Sequence, residues 1–250
     1  MKISRELQHR LICPVSKSKL IYLDNYLQDS FDPSVHYPLI DGIPIVINDR
    51  ESLFSIEDFQ NKVDTTWDLK PNKIKKIIRS LSPGIGLNVK AKKNYEKLNK
   101  LINANGKILV VGGSIKGEGM DVLYDNDLFE IVESDVSFGP NTRIISDAHD
   151  IPFLDETFDC VVVQAVLEHV LNPSIIVQTI YKLTNKDSFY FISNPNWRMA
   201  HQWVYRGLFD FDNFLYFLYT HKFKSIGFYG SPLKTPDYPR IDSESQLPNE

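Results

Sequence analysis

Residues 110–119 read VVGGSIKGEG, with four glycines inside eight positions, and they follow an apolar run, KILVV. A glycine-rich turn after a strand lets the backbone approach a ligand closely and points the next helix at it. Gly112, Gly113, Ser114 and Gly117 are the candidate contacts there. Their order does not match the G-x-G-x-x-G fingerprint of dinucleotide binding. Asp135 stands 23 residues beyond Gly112, at the end of a second apolar run, FEIVESDV. An acid in that place can accept hydrogen bonds from both hydroxyls of a ribose. Residues 146–174, SDAHDIPFLDETFDCVVVQAVLEHVLNPS, add Asp147, Ala148, His149, Gln164, Glu168 and His169. Imidazoles serve as general bases near neutral pH, so His169 and His149 are the candidate catalytic groups. For His169 the alternative is a capping or packing role, and Glu168 reads as structural. No Ser-His-Asp arrangement is readable, and Cys160, inside a strand pattern, reads as a small core residue.

These residues need a scaffold, and the chain supplies an alternation. KILVV, FEIVESDV, NTRIIS, FDCVVVQ and SFYFIS read as strands in order. GEGMDVLY can begin a helix, and a second helix carries Ile175, Ile176, Ile180 and Leu183 along one side. Strands dense in Val and Ile without alternation are those with both faces covered. Alternating strands and helices imply α/β architecture with a doubly wound, mostly parallel sheet. Ligands in such sheets bind beyond the carboxyl ends of the strands, which is where Gly112, Asp135 and Gln164 fall.

The flanks differ. Residues 1–50 read as short strands and turns, with Asp41-Gly42 as a two-residue hairpin turn between Ile40 and Ile43. Before the glycine turn, Tyr95, Leu98, Leu101 and Ile102 recur at helical spacing. Between Lys70 and Lys100 there are ten Lys or Arg and one acid, Glu96. That stretch is either a solvated helical face or a docking surface for an anion or an RNA backbone. Twelve of the 30 aromatic residues lie between Trp197 and Tyr229, which suits an acceptor lid, extra core or a dimer face. FKSIGFYG is a candidate further strand, and the polar, proline-rich end is expected to fray.

The net charge of -4 argues against general nucleic-acid binding. Two distant cysteines, Cys13 and Cys160, do not make a disulfide framework, which favours a cytoplasmic setting. The first residues lack the apolar core of a signal peptide, and no apolar stretch is long enough to span a bilayer.

The segment 146–174 carries a specific resemblance. An Asp-Ala pair, a Pro-Phe-x-Asp-x-x-Phe-Asp stretch and Leu-Glu-His-Val follow one another as in the class I S-adenosylmethionine-dependent methyltransferases. From about Gly106 to Asn194 the chain resembles their common methyltransferase domain. That resemblance implies S-adenosyl-L-methionine as cofactor in a Rossmann-like fold. It implies Gly112, Gly113 and Ser114, with Gly117, at the methionine end. Asp135 would hold the ribose, and Asp147 and Ala148 would sit against the adenine. Gln164 would face the reacting centre. The family usually places an acid two residues before the first glycine, where this chain has Val110.

A second resemblance concerns LICPVSKSKL and YPLIDGIPIVINDRE. They are similar to the zinc-ribbon-like domain of the tRNA and protein methyltransferase activator subunit. Its Cys-Pro-x-Cys opening is here Cys13-Pro14-Val15-Ser16, which leaves too few ligands for zinc, so no metal is expected. The implied organisation is a metal-free ribbon-like β module over 1–50, a helical linker over 51–105, a methyltransferase domain over 106–230 and a flexible tail over 231–250. The implied activity is methyl transfer to a small-molecule or glycan-precursor acceptor. The rivals are a catalytically silent binding protein and an RNA methyltransferase using the basic linker.

Overall fold

A computed structural model of the chain describes residues 1–61, 91–164 and 166–193. Most of the basic stretch, the aromatic segment 197–229, FKSIGFYG and the tail 231–250 lie outside the described residues. Helix α1 (Arg5–Gln8) is followed by strands β1 (Leu20–Leu23), β2 (Tyr26–Asp29), β3 (His36–Ile40) and β4 (Ile43–Pro44). Helices α2 (Ile56–Gln60) and α3 (Ala91–Leu101) come next. Then follow β5 (Lys107–Val111), α4 (Asp121–Tyr124), β6 (Glu130–Asp135), β7 (Ile144–Ile145) and β8 (Phe158–Gln164). A 3-10 turn (Leu167–His169), α5 (Pro173–Leu183) and β9 (Thr184–Ser193) complete the described elements.

The five later strands form one sheet in the order β7-β6-β5-β8-β9, every pair parallel. The order runs outward from β5 in both directions, so the switch point lies between the carboxyl ends of β5 and β8. Burial explains the unbroken Val and Ile runs. Leu109, Val111, Val161 and Val163 enter one core cluster, while Ile108, Val110, Cys160 and Val162 enter another on the opposite face. Alternate residues of each strand point to opposite faces, so both faces must be apolar.

Helix α5 starts behind an Asn172 cap with Pro173 in its first turn. Its buried stripe is Pro173, Ile176, Val177, Ile180 and Leu183. That is the i, i+3, i+4, i+7 pattern counted from Pro173, and it leaves Ile175 off the stripe and 42% exposed, contrary to the sequence expectation. Leu101 departs in the same way, at 41% exposed, while Tyr95, Leu98 and Ile102 are buried. Strand β9 begins at Thr184, earlier than its apolar run, because residues from Asn185 bulge against β8 between Phe158 and Cys160. Asp159 anchors that irregularity: it accepts from Asn185 Nδ2 at 2.8 Å and from the Lys107 N–H at 2.8 Å.

The first four strands make an antiparallel sheet in the order β1-β2-β3-β4. Asp41 and Gly42 turn β3 into β4 with φ of 51° and 77°, the left-handed pair that a two-residue hairpin requires. This sheet does not stand apart. Ile45 bridges Ile145 in parallel, and the Val46 N–H donates to the Ile145 carbonyl at 2.9 Å. Leu11 bridges Phe153, and Leu7, Leu11, Leu27, Tyr37 and Val46 share a core cluster with Leu109, Val111 and Val161. The N-terminal sheet therefore folds onto the edge of the parallel sheet beside β7.

At the far end of that N-terminal sheet two turns meet around Asp29, which is 1% exposed. The Ser18 hydroxyl and the Phe31 N–H donate to its carboxylate, and the Ser16 N–H faces Cys13 Sγ at 3.4 Å. Among the described residues no three His, Cys, Asp or Glu side chains converge as a metal site. Burial alone would raise the Asp29 pKa. Hydrogen bonds from Ser16, Ser18 and Phe31 outweigh it and lower the value from 3.8 to about 2. A depressed carboxylate stabilises the fold above its unfolded pKa and loses that contribution as pH falls through the folded one. The window is therefore pH 4 down to 2, and the contribution is about 2 kcal/mol at about 1.4 kcal/mol per unit. Asp29→Asn is expected to be less stable than wild type at pH 7, with the gap shrinking by about 2 kcal/mol by pH 2. Denaturant unfolding at a series of pH values measures it, and a gap independent of pH would refute it.

Candidate functional site

The carboxyl ends of β5, β6 and β8 bring the glycine turn, Asp135 and the segment after Gln164 together. Gly112 has φ of 73°, and a Cβ added to it would lie 2.3 Å from Val166 Cγ2. A Cβ on Gly113 would lie 2.7 Å from the Glu133 Cβ. Neither position admits a side chain, so the turn can sit low between its neighbours.

Hydrogen bonding decides what the turn can offer a ligand. The N–H groups of Gly112 and Gly113 both donate to the Ser134 carbonyl, at 2.8 and 3.1 Å. The Ser114 N–H donates to Asp135 Oδ2 at 2.9 Å. All three donors face inward. A phosphate-binding turn needs them free. The helix that follows, α4, has four residues and adds little dipole. The carbonyls of Gly112 and Gly113 accept no backbone hydrogen bond among the described residues, so the turn presents acceptors. That suits a donor-rich or cationic group and not a pyrophosphate.

Asp135 closes the loop beyond β6. Its Oδ1 accepts from the Ser137 N–H at 3.0 Å and from the Ser137 hydroxyl at 2.9 Å. The loop then folds back over the turn. A Cβ on Gly139 would meet the Ser114 carbonyl oxygen at 2.4 Å, and the Asn141 N–H donates to that carbonyl at 3.3 Å. A carboxylate has about four acceptor positions, so Asp135 retains capacity for a ligand hydroxyl.

Asp147 and His149 form a fixed pair after β7. Asp147 Oδ1 accepts from the His149 N–H at 2.9 Å and lies 2.7 Å from His149 Nδ1. The Asn172 N–H donates to His149 Nε2 at 3.2 Å. A backbone N–H can only donate, so Nε2 is the unprotonated nitrogen and Nδ1–H points at Asp147. Both ring nitrogens are thus engaged in tying the loop to the cap of α5. Asp147 Oδ2 accepts from the Ser52 hydroxyl at 2.6 Å. Burial pushes the Asp147 pKa up, but hydrogen bonds from His149 and Ser52 outweigh it and hold the carboxyl below its ordinary range. Ala148 packs against the main core cluster. His169 is exposed in the 3-10 turn past β8. Gln164 ends β8, opposite Ser193 in register. Gly117 lies in the loop before α4, and its carbonyl accepts from the Met120 N–H at 3.3 Å.

Val110 does not line this cleft. It is 3% exposed and packs in the core cluster with Ile108, Met120 and Leu123. An acid there would be buried among apolar groups. Its register partner on β6 is Glu133, buried at 2% exposed. Sequence reading missed three participants. Glu133 left a signal, an acid inside a strand covered on both faces. Ser52 and Val166 left none, since only the folded chain brings them to Asp147 and Gly112.

The methyltransferase domain family model matches residues 121–192. No curated protein matches the sequence. A Bacillus halodurans protein, provisionally named a methyltransferase, is 16% identical over 52% of this chain and 67% of its own, with a TM-score of 0.40. A Methanococcus maripaludis protein, provisionally named an S-adenosylmethionine-dependent methyltransferase, is 16% identical over 61% of this chain and 85% of its own, with a TM-score of 0.41. Haemonchus contortus phosphoethanolamine N-methyltransferase 2, solved with phosphomonomethylethanolamine and S-adenosylhomocysteine, is 14% identical over 52% of this chain and 36% of its own, with a TM-score of 0.39. The fold is a Rossmann-like, doubly wound parallel sheet, extended by an N-terminal antiparallel sheet, and its second half matches the methyltransferase domain model.

The bonding of His149 makes a direct prediction. His149→Phe keeps a ring but loses both hydrogen bonds, and should lower unfolding free energy by about 1–3 kcal/mol. Chemical denaturation measures it. Unchanged stability would leave the imidazole without the structural role that its bonds assign.

Proposed function

We propose that the chain is an S-adenosylmethionine-dependent methyltransferase acting on a small molecule or glycan precursor. The observation that carries this reading is the inward commitment of the turn's N–H groups. The methionine end of the cofactor bears an ammonium, which needs acceptors, and the Gly112 and Gly113 carbonyls are acceptors at the switch point. The match of residues 121–192 to the methyltransferase domain model supports the same reading.

In this proposal Gly112, Gly113 and Ser114 take the methionine end, with Gly117 in the adjoining loop. Asp135 takes the ribose hydroxyls with its remaining acceptor capacity. Asp147 and Ala148 form the adenine side, where Ser52 and His149 hold the Asp147 carboxylate in one orientation. When bound, the cofactor supplies an electrophilic methyl group on a sulfonium. The chain's part is to orient the acceptor in line with that group and to keep water away. His169, exposed in the 3-10 turn beyond β8, is the candidate to take a proton from an acceptor hydroxyl or acid. In this proposal the N-terminal module carries no metal, because Cys13-Pro14-Val15-Ser16 offers too few ligands for zinc.

A specific observation favours one rival, a cofactor-binding protein without catalysis. Asp135 and Asp147, the carboxylates assigned to the cofactor, already carry internal hydrogen bonds. Calorimetry with S-adenosylmethionine and S-adenosylhomocysteine separates the readings. Binding of both is expected, with Asp135→Ala weakening it about tenfold or more, the equivalent of one charged hydrogen bond. Absence of heat at millimolar cofactor would sink both. Binding without any methyl loss over a panel of hydroxyl and carboxylate acceptors would favour the rival.

A further inference from the structure

Helix α5 starts on long caps. The Asn172 side chain accepts from the Ile175 N–H at 3.4 Å, and its carbonyl accepts from the Ile176 N–H at 3.5 Å, both near the outer limit for a hydrogen bond. A shorter tie reaches this corner from the loop after β7, where His149 Nε2 accepts from the Asn172 N–H at 3.2 Å. Further along α5, Thr179 Oγ1 donates to the His149 carbonyl at 3.0 Å. His149 therefore holds the helix at two points, with its ring at the cap and its backbone beyond it.

The two ties respond differently to acid. The carbonyl has no proton to gain, whereas Nε2 accepts only while the imidazole is neutral. Imidazoles change charge between about pH 5 and 8. This side chain is 25% exposed, so solvent protons reach it. The charged and titratable groups on the elements around it are Asp147, Asp150 paired with Lys17, Glu168 and His169 in the 3-10 turn, and Tyr181 and Lys182 late in α5. Among them Asp147 is bonded to the ring and decides which contact yields. Burial raises the Asp147 pKa, but hydrogen bonds from His149 and Ser52 outweigh it and hold the carboxyl below its ordinary range. It is therefore ionised wherever imidazoles titrate. A protonated ring keeps its Nδ1–H on Asp147 Oδ1, 2.7 Å away, and turns an Nε2–H on the Asn172 N–H. Two donors then face each other, and the Asn172 contact is the one that opens.

The segment so released borders the cleft. Residues 166–172 lead from β8 into α5, and Val166 at their start fills the space of a Cβ on Gly112. The 3-10 turn that follows carries His169, whose N–H donates to the Val166 carbonyl at 2.8 Å. Asn172 is the far end of this segment, so fixing Asn172 fixes the segment against the glycine turn. We propose that His149 is a proton-sensitive positioning residue: neutral, it pins residues 166–172 beside the cleft, and protonated, it frees them at Asn172 and weakens ligand binding there. The effect on binding rests on the cofactor reading above, whereas the release at Asn172 holds whatever the cleft binds.

Nitrogen-15 NMR on the full chain without ligand tests the release. As the pH is lowered from about 8 to 5, protonation of His149 Nε2 and movement of the Asn172 amide signal should share one midpoint. Calorimetry over the same range tests the consequence. S-adenosylhomocysteine should bind about tenfold more weakly at the acid end, the linkage of a single proton. His149→Gln supplies an amide that can donate to Asp147 and accept from Asn172 without titrating, and it should abolish this pH dependence. His149→Phe should abolish it too, and whichever variant shows a cooperative unfolding transition suffices for the comparison. An Asn172 signal that ignores the His149 titration would overturn the proposal. So would an affinity that is constant with pH, or one that varies equally in the folded variants. Absence of binding at every pH would overturn the cofactor reading instead, and the amide titration would then decide the release by itself.

Discussion

At Gly112 and Gly113 three chain segments approach more closely than any side chain would permit. Val166, just beyond β8, occupies the space of a Cβ on Gly112, and Glu133 of β6 that of a Cβ on Gly113. The turn is therefore gripped from both neighbouring strands. This fixes its height above the sheet and turns its N–H groups down to Ser134 and Asp135. The polarity of the candidate cleft follows from that packing. Had the turn stood higher, its donors would have faced outward and the site would have suited a phosphate.

The N-terminal sheet enters this arrangement through the edge of the parallel sheet. Ile45 beside Ile145 continues the pairing past β7, and Ile43, Ile45, Ile47 and Phe59 form a third core cluster with Ile145. Phe59 of α2 meets Phe138 of the loop after β6 edge-on, with centroids 6.1 Å apart. The same stretch delivers Ser52 to Asp147. An N-terminal segment that shares a core with the sheet can contribute to the wall of its cleft, which a tethered independent module cannot do with fixed geometry.

Much of this was legible beforehand because it depends on local pattern. Apolar runs with no alternation specify strands covered on both faces, and Asp41-Gly42 specifies a hairpin through its backbone conformation alone. The candidate residues could be placed at strand ends for the same reason. What could not be read was contact at long range. Nothing in the neighbourhood of Ser52 indicates that it will meet Asp147, and nothing in His149 shows that Asn172 will occupy its second nitrogen. Ile175 lies off the inward side of α5 because it is a residue out of step with the stripe Pro173, Ile176, Val177, Ile180 and Leu183, so an apolar side chain alone does not place it in the core.

The valine at position 110 looks, in sequence, like the loss of a charge the cleft needs. In three dimensions it lies in an apolar cluster, directly opposite a buried acid on β6. Val110 packs with Met120 and Leu123 under the turn, and its register partner Glu133 places a buried carboxylate on the same face, in contact with Gly113. On β6 that carboxylate has a guanidinium and a phenol as neighbours, those of Arg143 and Tyr124. A buried charge is tolerable only with such company. Val110 and Glu133 thus divide one face of the sheet between an apolar part packed under the turn and a polar part beside Arg143.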